Sequence, residues 1–146
     1  ADVHRQAAAG ELDAWRQSPP GRLAEIIVLD QFPRNMFRDQ PGAFATDEAA
    51  RQRTREAVAA GADQALTAQQ RAFLYMPLMH SESAVDHEEA VRLYSSDPGL
   101  KNNLDFELKH KAIIDRFGRY PHRNDILGRA STAEETEFLQ KPGSSF

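Results

Sequence analysis

Residues 18–32 read "SPPGRLAEIIVLDQF", and this stretch decides the fold class. Ser18 is a helix N-cap, and prolines in the first turn are favourable there because the missing N–H would be unpaired anyway. Leu23, Ile26, Ile27, Val28, Leu29 and Phe32 then place apolar side chains almost all round the helix. A helix without a polar face belongs in the centre of a domain. Pro33 is expected to stop it.

Outward from this segment the apolar spacing is helical throughout, and no stretch sustains the alternation of a strand. Residues 3–16 read as a helix that carries the only tryptophan, Trp15. Thr46, with Asp47 and Glu48, opens another that Gly61 closes, with Ala45, Ala49, Ala57 and Ala60 near one face. Thr67 and Gln70 form a capping box. Ser81 or Ser83 caps a helix through Tyr94, "SSDPG" is a turn, and residues 100–117 form the longest helix. Thr132 with Glu135, or Ser131 with Glu134, caps a last helix ending near Pro142. Six or seven helices with short connections imply antiparallel helix hairpins in one all-α domain spanning 1–146. The chain opens at Ala1 in sequence that already looks helical, so a longer native N-terminus is expected.

The formal net charge is −4, with 18 Lys and Arg against 22 Asp and Glu. That balance argues against nucleic acid or an anionic membrane as partner. No apolar run approaches the roughly 18 residues of a membrane span. There is no cysteine, so disulfides and thiolate metal sites are excluded. HExxH, GxSxG, the Walker loop and GxGxxG are all missing. The expectation is a cytoplasmic protein without cofactor or metal. A His and carboxylate metal set from Asp30, His80, Glu82, His110 and His122 has no support from spacing.

Several polar residues fall where the pattern calls for core. Asp30 lies seven after Leu23 and three after Ile27. It needs a cation or several donors, and Arg34 is four residues on, beyond Pro33. His110 shares a face with Phe106, Ile113 and Phe117; a neutral core imidazole is the plain account and a ligand or acid/base role the other. His80 and Glu82 could meet only in a turn, and Glu82 also suits the first turn of the next helix. His87, Glu88 and Glu89 read as a solvated face.

The stretch "GRYPHRNDILGR" (118–129) concentrates arginines in an acidic chain, and its "YPHRN" (120–124) echoes "QFPRN" (31–35). Each sets an aromatic-Pro pair ahead of Arg-Asn. Arg offers a planar fork of donors and Asn both a donor and an acceptor. Two such elements converging would hold a carboxylate or phosphate. Taken singly, each motif would only stitch loops and helix ends together.

In order along the chain, "GELDAW", "LDQFPRN", "AFATD", "FLYMPLMHSE", "RFGRYPHRN", "LGRASTAEE" and "PGSSF" resemble a bacterial family of unknown function. The resemblance implies an all-helical, tetratricopeptide-like fold and carries no reaction. The leading expectation is a pocket of Arg34, Asn35, His80, His122, Arg123 and Asn124 that binds a small anionic ligand or a carboxylate-bearing peptide. The first alternative is a hydrolase-like enzyme with His80 or His122 as acid/base and Asp30 or Glu82 orienting it. The second is a protein–protein interaction module without a small-molecule site. Oligomeric state is not encoded in these features.

Overall fold

The computed structural model describes residues 1–146 and is helical throughout, with no strand. The helices are α1 (Asp2–Ala8), α2 (Pro19–Met36), α3 (Asp47–Ala59), α4 (Ala68–His80), α5 (Ala84–Tyr94), α6 (Lys101–Phe117), α7 (Asn124–Leu127) and α8 (Ala133–Leu139). Short 3-10 turns join several of them. From α2 to α6 each helix packs on its successor, and α4 also packs on α2 and α6. The main core lies around α4, where Leu74, Tyr75 and Leu78 meet Ile26 of α2, Tyr94 of α5 and Leu100. A smaller core of Val28, Leu29 and Ala50 joins α2 to α3.

The caps form as the sequence implies. Ser18 Oγ accepts from the Gly21 N–H, and Thr67 with Gln70 and Thr132 with Glu135 make capping boxes. Several readings need correction. Residues 3–16 are not one helix: Gly10 takes a left-handed φ of 76°, which an L side chain rarely adopts, and a 3-10 turn over Asp13–Gln17 follows. The buried face of α3 is Ala50, Thr54 and Ala57, rotated from the alanine row of the sequence reading. The longest helix is α2, of 18 residues, against 17 for α6.

The extra length of α2 comes from Pro33, which does not stop it. A mid-helix proline leaves the carbonyl four residues back without its donor. Here that carbonyl belongs to Leu29, and the Thr46 hydroxyl donates to it at 2.7 Å. Around Pro77 in α4, the hydroxyls of Thr54 and Tyr94 donate to the carbonyls of Leu74 and Ala72, at 2.8 and 3.0 Å. At Pro33 the freed carbonyl is thus satisfied from outside the helix, whereas at Pro77 the two hydroxyls tie the neighbouring carbonyls and not that of Phe73, four residues back. The continued α2 carries Arg34 into its last turn, beside Asp47 at the start of α3.

Candidate functional site

A cleft of roughly 870 Å³ opens between the end of α2, the end of α4, one face of α6 and the 120–126 segment. Ligand pockets commonly measure about 300–1,000 Å³. Arg34, Asn35, His80, His122 and Arg123 all line it. Asn124 does not.

Asp30 is 1% exposed, one turn before Arg34. Its carboxylate accepts from the His80 ring Nδ1 at 2.8 Å and from Gln31 Nε2 at 2.6 Å, and Arg34 stands 3.4 Å away. Burial works to raise the Asp30 carboxyl, but the charge and hydrogen bond of His80, then Arg34 and Gln31, hold it below the usual carboxylate range. With Nδ1–H donated to Asp30, His80 Nε2 has no protein partner, and the residue lines the cleft. Asp30→Asn should lower the unfolding free energy by about 1–3 kcal/mol. An unchanged denaturation midpoint at an unchanged slope would contradict this.

Arg34 spends its fork within the protein. It grips Asp47 through two hydrogen bonds of 2.8 and 3.0 Å and donates to the Asp30 carbonyl at 2.8 Å. Arg123, 5% exposed, is much less satisfied. Nη2 donates to the His80 carbonyl at 2.8 Å, and the guanidinium lies 4.4 Å from the Phe44 ring centroid and 4.8 Å from that of Tyr120. Its one paired carboxylate, Asp47, stands 3.9 Å away, beyond hydrogen-bond range. Nε is buried without an acceptor. Burial pushes this guanidinium below its usual value, with Asp47 opposing and Arg34 adding to the effect. Both arginines therefore pack on Phe44 beside one carboxylate, as a shared-anion arrangement would require, but that carboxylate is the protein's own.

The rest of the 118–129 segment holds itself in place. Arg129 pairs with both oxygens of Glu82 at 2.9 and 3.1 Å, and the Tyr120 N–H donates to Glu82 at 2.6 Å. Burial works to raise Glu82, and Arg129, the Tyr120 N–H and Arg123 hold it below the usual range. Glu82 therefore anchors the segment and does not orient His80. Arg119 pairs with Glu135. Asn124, fully buried, donates to Ser131 and accepts from Arg129; it is a structural node, not a cleft residue. Ser81 Oγ donates to Asp86 at 2.6 Å and accepts from Arg51 and the Ser83 N–H, so its lone pairs are committed.

His110 and His122 form part of the cleft wall. His110 Nδ1–H donates to the Phe106 carbonyl at 2.7 Å. Burial pushes both imidazoles down to about 4, with Arg123 assisting at each and His80 at His110. Both are therefore uncharged at neutral pH. Their ordinary value is 6.5, so below it the unfolded chain binds protons that the native state refuses. Stability should fall as pH falls from 6.5 towards 4. Replacing both histidines by glutamine should flatten that slope in a pH series of denaturant melts; an unaltered slope would contradict the assignment.

His87 is the largest correction. It is not solvated but 0% exposed, as is Glu107, whose Oε1 is 2.5 Å from His87 Nδ1. The buried residues of α5 are Asp86, His87, Ala90, Leu93 and Tyr94, a helical stripe legible in the spacing of 87, 90 and 94. Asp47, Phe44 and Phe106 were also missed as site residues. An acid opening a helix reads as a dipole partner, and nothing local tells it apart. Asp30, His80, Glu82, His110 and His122 are not assembled into a metal-holding group.

The class defined by this geometry is an all-helical protein whose arginines and histidines surround one cleft. The chain belongs to a bacterial family of unknown function, DUF924, whose sequence model matches residues 1–143. It is similar to a protein of unknown function from Agrobacterium tumefaciens of solved structure, with 42% identity and a TM-score of 0.90, over 95% of this chain and 78% of that one. No curated protein matches it. No helix is long and apolar enough to cross a membrane.

Proposed function

We propose that the cleft binds a small anionic ligand, or the carboxylate of a peptide, with Arg123 as its principal counter-charge. The observation that carries this reading is the state of Arg123: buried, cationic, 3.9 Å from its one carboxylate and with a buried Nε that has no acceptor. A buried charge is stable only when paired and hydrogen-bonded, so the site is short of an acceptor. Arg34, fixed by Asp47, supplies field more than donors. Asn35 and His122 line the same space and can orient the ligand. The successive packing of helix pairs suits a tetratricopeptide-like array, in which a peptide end would be the larger form of the same ligand.

The test is a thermal-shift screen of phosphate, sulfate and dicarboxylates. A specific ligand raises the midpoint saturably. Arg123→Lys keeps the charge and loses the planar fork, so it should need about tenfold more ligand, because charge-assisted hydrogen bonds contribute about 1.5–3 kcal/mol each. Arg34→Lys should also need more. Equal shifts in the parent and both variants would contradict the reading.

A second reading, acid/base catalysis on the bound anion, is favoured by one observation. Asp30 orients the His80 ring through Nδ1 and leaves Nε2 without a protein partner on a residue that lines the cleft, as an oriented acid/base requires. His80 should then be carbethoxylated by diethyl pyrocarbonate and protected by a saturating anion. A His80 that resists the reagent in the free protein would exclude this reading.

A further inference from the structure

We infer that the anion taken by this cleft is carried on a flat aromatic ring: an aryl carboxylate or aryl phosphate whose ring sits where Phe146 lies now. The inference rests on the anion-binding reading and adds the other half of the ligand.

Beyond Arg123 the cleft is walled by rings. The Phe146 ring centroid is 3.9 Å from that of His110 and 4.5 Å from that of His122, and it meets Tyr120 edge to face at 5.1 Å. The contacts with His122 and Tyr120 have the separations and tilts at which aromatic rings attract, and that with His110 is closer still. Phe106, Met76 and Met79 also line the cleft, and thioethers favour aromatic neighbours. His110 and His122 are uncharged at neutral pH and line the cleft as aromatic rings, not cations. An anion thus finds its counter-charge at Arg123 and an uncharged, ring-lined wall beside it. Tyr120, buried behind the wall, touches both: the Arg123 guanidinium is 4.8 Å from its centroid and the Phe146 ring 5.1 Å. A bare phosphate would leave the ring-lined part of a cleft of roughly 870 Å³ filled with water.

Phe146 shows which chemistry that part accepts, and its hold is light. The residue is 52% exposed. Gly143, at a left-handed φ of 79°, turns the segment back, and the Ser144 hydroxyl bonds to Leu139 of its own segment. No hydrogen bond ties residues 145–146 to the cleft, so ring contacts alone seat Phe146. An incoming aryl group replaces those contacts one for one and adds the ion pair with Arg123, which Phe146 does not make. Phe146 is accordingly a competing strap.

The experiment is calorimetric titration at neutral pH with phenyl phosphate and phenylacetate, each against its ringless counterpart, inorganic phosphate or acetate. The two pairs separate the phosphate from the carboxylate head group. The aryl member of at least one pair should bind about tenfold tighter or more, the scale of burying one ring. Phe146→Ala should tighten that aryl anion several-fold and leave the ringless anion unchanged. Arg123→Gln should weaken both, with its fold verified by its unfolding transition. Equal affinity of aryl and ringless anions, no detectable aryl binding, or Phe146→Ala that leaves aryl binding unchanged or weaker would each overturn the inference. The two readings fail differently. If phosphate and phenyl phosphate bind alike and both weaken in Arg123→Gln, the anion site stands and the aryl inference falls. If aryl anions bind the Arg123→Gln protein as well as the parent, the anion site falls too.

Discussion

Glu107→Ala lowers the unfolding free energy by about 3–5 kcal/mol, the scale for breaking a fully buried polar pair. Both Glu107 and His87 are sealed from solvent. His87 Nε2 lies 2.6 Å from the Ser81 carbonyl, so it carries a proton, and 3.1 Å from the Tyr120 hydroxyl. One further proton then bridges His87 Nδ1 and Glu107. Burial raises the Glu107 carboxyl, and the hydrogen bond and charge of His87 act against it. Alanine removes the partner, strands Nδ1 and leaves a cavity. Glu107→Gln, which keeps the volume and offers an N–H to Nδ1, should cost clearly less. The check is equilibrium denaturation of both variants. A loss under about 1 kcal/mol for alanine, or equal losses for the two, would show that the pair does not hold α5 to α6.

The second large effect is expected at Asp47. Asp47→Asn removes the carboxylate that Arg34 grips twice and that alone pairs with Arg123. It should cost about 2–4 kcal/mol, less than a fully buried pair because Asp47 and Arg34 are 18% and 21% exposed. The vacated position lies between two guanidinium groups. Added phosphate or sulfate should therefore restore the melting temperature saturably, and more than chloride at equal ionic strength. A variant as stable as the parent, or a loss that no anion restores, would contradict the electrostatic account of the cleft.

The helices were legible because their signals are local. Ser18, Thr67 with Gln70 and Thr132 with Glu135 announce their own starts, and the apolar run at 23–32 requires a central position. Pro33 was misread because its remedy is not local: the hydroxyl that satisfies the Leu29 carbonyl comes from Thr46, seventeen residues on. The site was legible in part. The echo of "QFPRN" and "YPHRN" singles out Arg34 and Arg123, which the fold sets over one ring, Phe44, and Asp30, read as buried, lies beside Arg34. The same echo misplaced Asn124, because an Asn that caps nothing and one that binds a ligand look alike until its partners Ser131 and Arg129 are seen. His87 was hidden by the charged residues flanking it, although its spacing to Ala90 and Tyr94 was that of a buried face.

The central claim is that Arg123 is a buried cation awaiting an external acceptor. Its Nε–H has no partner in the protein, so the arginine side-chain region of a two-dimensional ¹H–¹⁵N nuclear magnetic resonance spectrum reports on it directly, with Arg123→Lys assigning the peak. Titration with phenyl phosphate, and separately with inorganic phosphate, should move the Arg123 Nε–H resonance saturably while that of Arg119, bound to Glu135 on the 118–129 segment, stays in place. An Arg123 resonance that does not move at concentrations saturating any thermal shift would contradict the account.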